Sequence, residues 1–109
     1  MEYEQIVRDI KAKKFAPIYL LMGDEPYYID EITNMLLEAV VPEEMRDFNQ
    51  TILYGIETSV ADVVTTARRF PMMADYQLVV VKEGQKLSKI DDLEVYTSNP
   101  LKSTILVIN

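Results

Sequence analysis

The sequence predicts an α/β domain in which a parallel β-sheet lies between two layers of helices. Three short, continuous apolar segments have the length and composition of strands that are buried on both faces, and a further segment indicates a strand. Amphipathic segments with helical spacing alternate with them, in the order helix, then strand and helix three times, then a strand. Because parallel strands need right-handed crossovers, this alternation places helices on both faces of the sheet.

The first half of the chain predicts two helices and two strands. Apolar residues recur at helical spacing in residues 3–10, which indicates the first helix. The run PIYLLM at 17–22 predicts the first strand, and the spacing in residues 28–41 predicts a second helix that ends before a proline. The segment FNQTILY at 48–54 predicts the second strand.

The third helix has a recognisable start. Ser59, followed by Asp62 three residues later, resembles a capping box, and an apolar face then extends to Ala67. Pro71 interrupts this helix, because a proline disfavours helical backbone in the residue before it. The β-branched run YQLVVV at 76–81 predicts the third strand.

The last part of the chain predicts one more helix, over 86–98, and a fourth buried strand, TILVI, at 104–108. No repeat or Gly/Ser-rich linker divides the chain, so we expect a single domain over residues 1–109. The chain stops directly after a core strand, with no helix to cover it. We therefore expect a fragment of a longer protein, truncated after its fourth strand.

Composition excludes several classes of function. The chain has no cysteine and no histidine, which excludes Cys/His zinc sites, His-based catalytic triads and disulfides. The net charge of −7 opposes binding to a phosphate backbone, so we expect no DNA binding by this chain alone. No apolar run approaches the ~20 residues of a membrane span. We expect a cytoplasmic protein without metal or cofactor and without a membrane partner.

The turn after the first strand lies where a nucleotide-binding α/β domain carries its phosphate loop. Such a loop uses glycines and a lysine to hold phosphates at a helix N-terminus. Here Gly23 is the only glycine, no lysine is present, and Asp24 and Glu25 place negative charge where phosphates would bind. Lys82 ends the third strand, where a P-loop ATPase needs an aspartate for Mg²⁺. We predict a degenerate, non-binding loop and no catalytic activity.

The connection before the third strand contains three large apolar residues, Phe70, Met72 and Met73. Connections normally run over the surface, and methionine is common at adaptable binding surfaces. The same residues could also fold back on the core. Pattern alone leaves both interpretations open.

Several motifs, in order, cover nearly the whole chain. They are YLLMGDEPY at 19–27, FN at 48–49, FPMMAD at 70–75, QLVVVK at 77–82, and Leu93, Tyr96 and Asn99-Pro100 before the last strand. With these motifs the chain resembles the N-terminal domain of the delta subunit of the bacterial DNA polymerase III clamp loader.

The resemblance implies an AAA+-type fold that has lost its nucleotide site and has its first and fourth strands side by side. It also implies that this domain binds the ring-shaped sliding clamp. Met72 and Met73 match a hydrophobic pair that enters a clamp pocket near the subunit interface, where family members often carry Leu and Phe. We assign Phe70 to the same clamp-binding surface.

The function implied by the resemblance is mechanical. The delta subunit holds a clamp conformation whose interface no longer closes, so that the ring opens for loading on DNA. It is a non-catalytic subunit of a DNA polymerase holoenzyme, and motor subunits hydrolyse the ATP. Contacts with motor and delta-prime subunits use the complete chain, DNA is met only in the assembled complex, and the fragment is expected to be monomeric.

Two alternatives belong to other classes. One is a degenerate P-loop enzyme that binds or transfers a nucleoside phosphate, against which the missing lysine and aspartate argue. The other is a receiver-like signalling domain, which needs acidic residues clustered at its strand ends. Asp24 and Glu25 supply part of such a cluster, but no aspartate ends the third strand.

Overall fold

The structure is a computed structural model that describes residues 3–21 and 26–109. Its four strands are β1 (Ile18–Leu20), β2 (Gln50–Tyr54), β3 (Gln77–Lys82) and β4 (Thr104–Ile108). They form one sheet in the order β1-β4-β3-β2, and every neighbouring pair is parallel. The predicted α/β class is confirmed, and the first and fourth strands are neighbours, as the resemblance implies.

Helices cover both faces of this sheet. They are α1 (Tyr3–Lys11), α2 (Pro26–Ala39), α3 (Arg46–Asn49), α4 (Val60–Ala67) and α5 (Glu94–Thr97). Side chains alternate between the faces along β3: Leu78 and Val80 belong to a core with α1 and α2, whereas Val79 and Val81 belong to a second core with α4 and α5. The predicted three layers are therefore present.

The start of α4 agrees with the capping pattern in the sequence. The backbone N–H of Asp62 donates a 3.1 Å hydrogen bond to the hydroxyl of Ser59, which is the residue before the helix. Val63 and Ala67 are fully buried on the apolar face of α4. This helix fixes the starting point of the connection that leads to β3.

The helix predicted over 86–98 is wrong. Two 3₁₀ turns, at Gly84–Lys86 and Ile90–Leu93, precede the four-residue helix α5, and Lys89 interrupts the segment with a left-handed backbone (φ 57°). The apolar residues of the segment still pack inward, and Leu93 and Tyr96 are buried. Helical spacing therefore predicted the buried side chains correctly but not the backbone that carries them.

Two strand boundaries also differ from the prediction. The second strand begins at Gln50, because Phe48 and Asn49 form the end of α3. The first strand is shorter than predicted and lies at an edge of the sheet, where Leu20 is exposed. Its predicted last residue, Met22, lies outside the described residues.

Candidate functional site

The connection between α4 and β3, which we call the methionine loop (residues 68–76), presents large apolar side chains to solvent. Phe70 is 75% exposed, Met72 59% and Met73 88%. These side chains do not fold back on the core, so the surface interpretation of the sequence holds for them. Their role in clamp binding stays a prediction.

The methionine loop lies at the amino ends of the strands, because it leads directly into β3. The turn predicted to be a degenerate nucleotide loop follows β1 in the sequence. Its residues Gly23, Asp24 and Glu25 lie outside the described residues.

Asn49 lies in the connection that leads into the neighbouring strand β2, and it holds the tip of the methionine loop. Its Oδ1 accepts a 2.6 Å hydrogen bond from the backbone N–H of Met72, and its Nδ2 donates a 2.8 Å bond to the Met72 carbonyl. Nδ2 also donates to the carbonyl of Met45, at 3.0 Å. Sequence reasoning placed Asn49 at the start of a strand and missed this contact, although the pair FN at 48–49 is part of the resemblance.

The base of the loop is held by a second amide, that of Gln77. Its Nε2 lies 2.6 Å from the carbonyl of Arg69, 3.0 Å from the carbonyl of Thr66 and 3.0 Å from the hydroxyl of Thr104. The Thr104 hydroxyl in turn donates a 2.6 Å bond to the carbonyl of Ala67. These side chains serve carbonyls at and just beyond the C-terminus of α4, where the helix itself leaves carbonyls without partners; the Thr66 carbonyl also accepts from the Arg69 N–H.

Met73 has a left-handed backbone, with φ 62°. This conformation is uncommon for a residue other than glycine and persists where the surrounding structure enforces it. Here the enforcing contact is adjacent, because Asn49 fixes both backbone polar groups of Met72. The backbone therefore turns at Met73, whose side chain is almost fully exposed.

A groove of about 620 Å³ borders Met73. Its walls include Phe15 and Tyr76, whose rings meet edge to face with centroids 5.6 Å apart, and Met45. Lys13 and Asp75 add charges of opposite sign. The apolar surface around Met73 thus extends beyond the loop itself.

Comparison with known proteins decides the family. A family model described as "DNA polymerase III, delta subunit" matches residues 19–109. The chain belongs to the DNA polymerase III delta-subunit family. This family assignment confirms the resemblance that the motifs indicate.

Individual relatives of this delta-family chain agree with the assignment. It is 28% identical to DNA polymerase III subunit delta of Bacillus subtilis (strain 168), over 93% of this chain and 32% of the relative. The solved structure of a Bacillus subtilis DNA clamp loader delta protein matches with a TM-score of 0.87 and 26% identity, over 98% of this chain and 34% of that one. The delta-family chain therefore spans about a third of the length of these relatives.

A more distant structure shares the fold. A DNA polymerase III gamma subunit-related protein from Thermotoga maritima matches with a TM-score of 0.64 and 19% identity, over 100% of this chain and 39% of that one. At this identity the likeness concerns the fold alone. Together with the closer match to the clamp loader delta protein, it supports the AAA+-like architecture of the delta-family chain.

The first half of helix α2 is acidic and aromatic in this delta-family domain. Helix α2 carries Asp30 and Glu31 in its first half and contains no lysine or arginine. A hydrogen bond between the Tyr3 hydroxyl and the Glu31 carboxylate raises the pKa of Tyr3 to about 12. Helix α2 therefore has no positive side chain that could hold a phosphate.

Other kinds of site are not found in the part of the delta-family chain that the structure describes. Among residues 3–21 and 26–109, no three acidic side chains come together in a way that could hold a metal ion. None of the helices in these ranges is long and apolar enough to cross a bilayer.

Proposed function

We propose that this chain is the clamp-binding domain of a clamp-loader delta subunit in DNA replication, and that it uses Phe70, Met72 and Met73 to bind the sliding clamp. The observation that carries the proposal is the exposure of these three apolar side chains on a loop that is held at both its base and its tip. Large exposed apolar side chains that cluster on one loop are typical of protein-binding sites. Membership of the DNA polymerase III delta-subunit family supports the sliding clamp as the partner.

The chemistry of the loop suits an anchor. Methionine side chains are flexible and polarisable, so they adapt to a pocket while burying apolar surface. A few such residues carry most of the binding free energy of a typical interface. The groove beside Met73 extends the apolar surface, so a partner that binds the methionines has further area to cover.

The mechanism that we propose is the selection of one clamp conformation. A ligand shifts an equilibrium only through its different affinities for the two states. The domain therefore opens the ring by binding more tightly to the clamp conformation that does not close its interface. ATP is bound and hydrolysed by the motor subunits, and DNA is contacted within the assembled complex, where the net charge of −7 on this domain is no obstacle.

Direct binding tests this proposal. The 109-residue chain is immobilised, and the sliding clamp of the same organism is passed over it at increasing concentrations in a surface plasmon resonance experiment. We expect saturable binding that competes with free chain in solution. A wild-type chain that is folded by circular dichroism and does not bind the clamp contradicts the proposal.

The alternative, a nucleoside phosphate-binding enzyme, makes the opposite prediction for Mg-ATP. Saturating a real site at about 100 times its Kd adds about 2.7 kcal/mol to the free energy of unfolding. We expect Mg-ATP to leave the melting temperature unchanged, because Asp24 and Glu25 repel phosphates and Lys82 cannot hold Mg²⁺. A thermal melt with and without Mg-ATP, and with Mg²⁺ alone as the control, checks this. A rise that requires ATP favours the enzyme.

A further inference from the structure

We propose that Asn49 is a positioning residue for clamp binding, which fixes the backbone of Met72 so that the methionine side chains are held in their binding arrangement before the clamp arrives. This inference rests on the proposed function and deepens it. Asn49 does not itself offer a contact to a partner, because it is 1% exposed.

The fold explains how Asn49 reaches a residue 23 positions away in the chain. Asn49 directly precedes β2, and the methionine loop directly precedes β3, which is the parallel neighbour of β2. The two connections therefore lie side by side at the amino ends of the strands. The Asn49 amide then pairs with Met72 much as a neighbouring strand would, by accepting from its N–H and donating to its carbonyl.

The chemistry of this contact requires an asparagine. Asn49 accepts one bond and donates two, whereas an aliphatic side chain offers neither, a carboxylate offers no donor and a hydroxyl offers only one donor. The additional bond from Nδ2 to the Met45 carbonyl fixes the orientation of the amide. Every described polar atom of this buried side chain has a partner, so the contact is complete.

The consequence for binding is preorganisation. A loop that is already ordered loses less conformational entropy when a partner binds. Gln77 holds the loop at Arg69, and Asn49 holds it at Met72, so removal of the Asn49 amide frees the segment that carries both methionines. We expect Asn49→Ala to weaken clamp binding by about fivefold or more, which is an order-of-magnitude figure for ordering one or two residues.

A double-mutant cycle separates positioning from a general effect on the fold. Clamp affinity is measured for the wild type, Asn49→Ala, Met72→Ala/Met73→Ala and the triple variant. We expect Asn49→Ala to have less than about a twofold effect once the methionine side chains are gone, because it acts through them. Gln50→Ala is the matched control, since the neighbouring Gln50 amide has a buried Oε1 with no hydrogen-bond partner in the described part of the chain.

Asn49→Ser provides a second variant if the alanine variant does not fold. A hydroxyl keeps a polar group at this buried position but has only one donor for the carbonyls of Met72 and Met45, so we expect an affinity between those of the wild type and Asn49→Ala. Equal losses in the presence and absence of the methionines would overturn the proposal, because Asn49 would then act through the fold. An unchanged affinity for both variants would overturn it as well.

A readout without the clamp distinguishes failure of this inference from failure of the proposed function. We expect hydrogen exchange at the Met72 N–H to be slow in the wild type and to become at least about tenfold faster in Asn49→Ala, with little change in Gln50→Ala. A wild-type chain that does not bind the clamp contradicts the proposed function while this exchange result still supports the hold on the loop. Unchanged exchange at Met72 overturns the positioning role, whatever the clamp does.

Discussion

We expect the Met72→Ala/Met73→Ala variant to bind the sliding clamp at least about tenfold more weakly than the wild type, because truncating one apolar anchor typically costs ~2 kcal/mol and ~1.4 kcal/mol is one decade. Fold stability should change by no more than about 0.5 kcal/mol, since both side chains are exposed. Alanine also has a Cβ, so the strain of the left-handed backbone at Met73 is similar in both proteins. Clamp affinity and urea denaturation are measured on the same preparation.

Exposed apolar residues elsewhere provide the matched control for this variant. Ile56 follows β2 at the carboxyl ends of the strands, opposite the methionine loop, and Val95 lies on α5. Both side chains are exposed. Ile56→Ala/Val95→Ala removes a comparable amount of apolar surface and should leave clamp affinity within about twofold of the wild type. If the methionine variant loses stability and keeps its affinity, Met72 and Met73 are structural residues and our site is wrong.

The sequence predicts the layers of this fold well because burial on both faces leaves a direct signal. The continuous apolar runs at 76–81 and 104–108 correspond to β3 and β4, whose residues are almost all buried. The strand order β1-β4-β3-β2 cannot be predicted in this way, because local periodicity contains no information on which strands are neighbours. The resemblance implied only that the first and fourth strands are neighbours, and the positions of β2 and β3 were not predicted.

The errors have local physical causes. Residues 86–98 have helical spacing, but 3₁₀ turns bring residues three positions apart to the same side as well, so spacing alone cannot separate the two. The exposure of Met72 and Met73 could not be derived either, since methionine is at home both in cores and at binding surfaces. Their exposure depends on how the loop is held.

The contacts that hold the loop connect distant parts of the chain. Asn49 reaches Met72 only because β2 and β3 pair in parallel, and Gln77 reaches the end of α4 only because the chain returns there through the loop. An asparagine before a strand and a glutamine at a strand start are unremarkable in a sequence. The sequence therefore identifies the residues that the loop exposes but not those that fix it.

The base of the loop gives the largest effect on stability that we expect. Gln77→Leu conserves approximate size but removes the amide that serves the carbonyls of Thr66 and Arg69 and the hydroxyl of Thr104. The Thr66 carbonyl keeps its bond from the Arg69 N–H, and the Thr104 hydroxyl keeps its bond to the Ala67 carbonyl. The expected loss is therefore that of the part-buried Arg69 carbonyl, about 1–3 kcal/mol. A loss of this size lowers the melting temperature of a domain this long by roughly 4–8 °C per kcal/mol. Thermal and urea unfolding measure both quantities.

Gln50→Leu is the control for this second prediction, because it removes an equivalent amide from the adjacent strand. The Oε1 of Gln50 is buried and has no hydrogen-bond partner among the described residues, so its removal should leave stability unchanged or raise it. When Thr104→Val is combined with Gln77→Leu, the free energy of unfolding should fall by less than the sum of the two single effects. The two side chains share a hydrogen bond, so each substitution already removes it. Equal stability of Gln77→Leu and Gln50→Leu would mean that the amide at the base of the loop contributes nothing, and that the exposed methionines owe their arrangement to Asn49 alone.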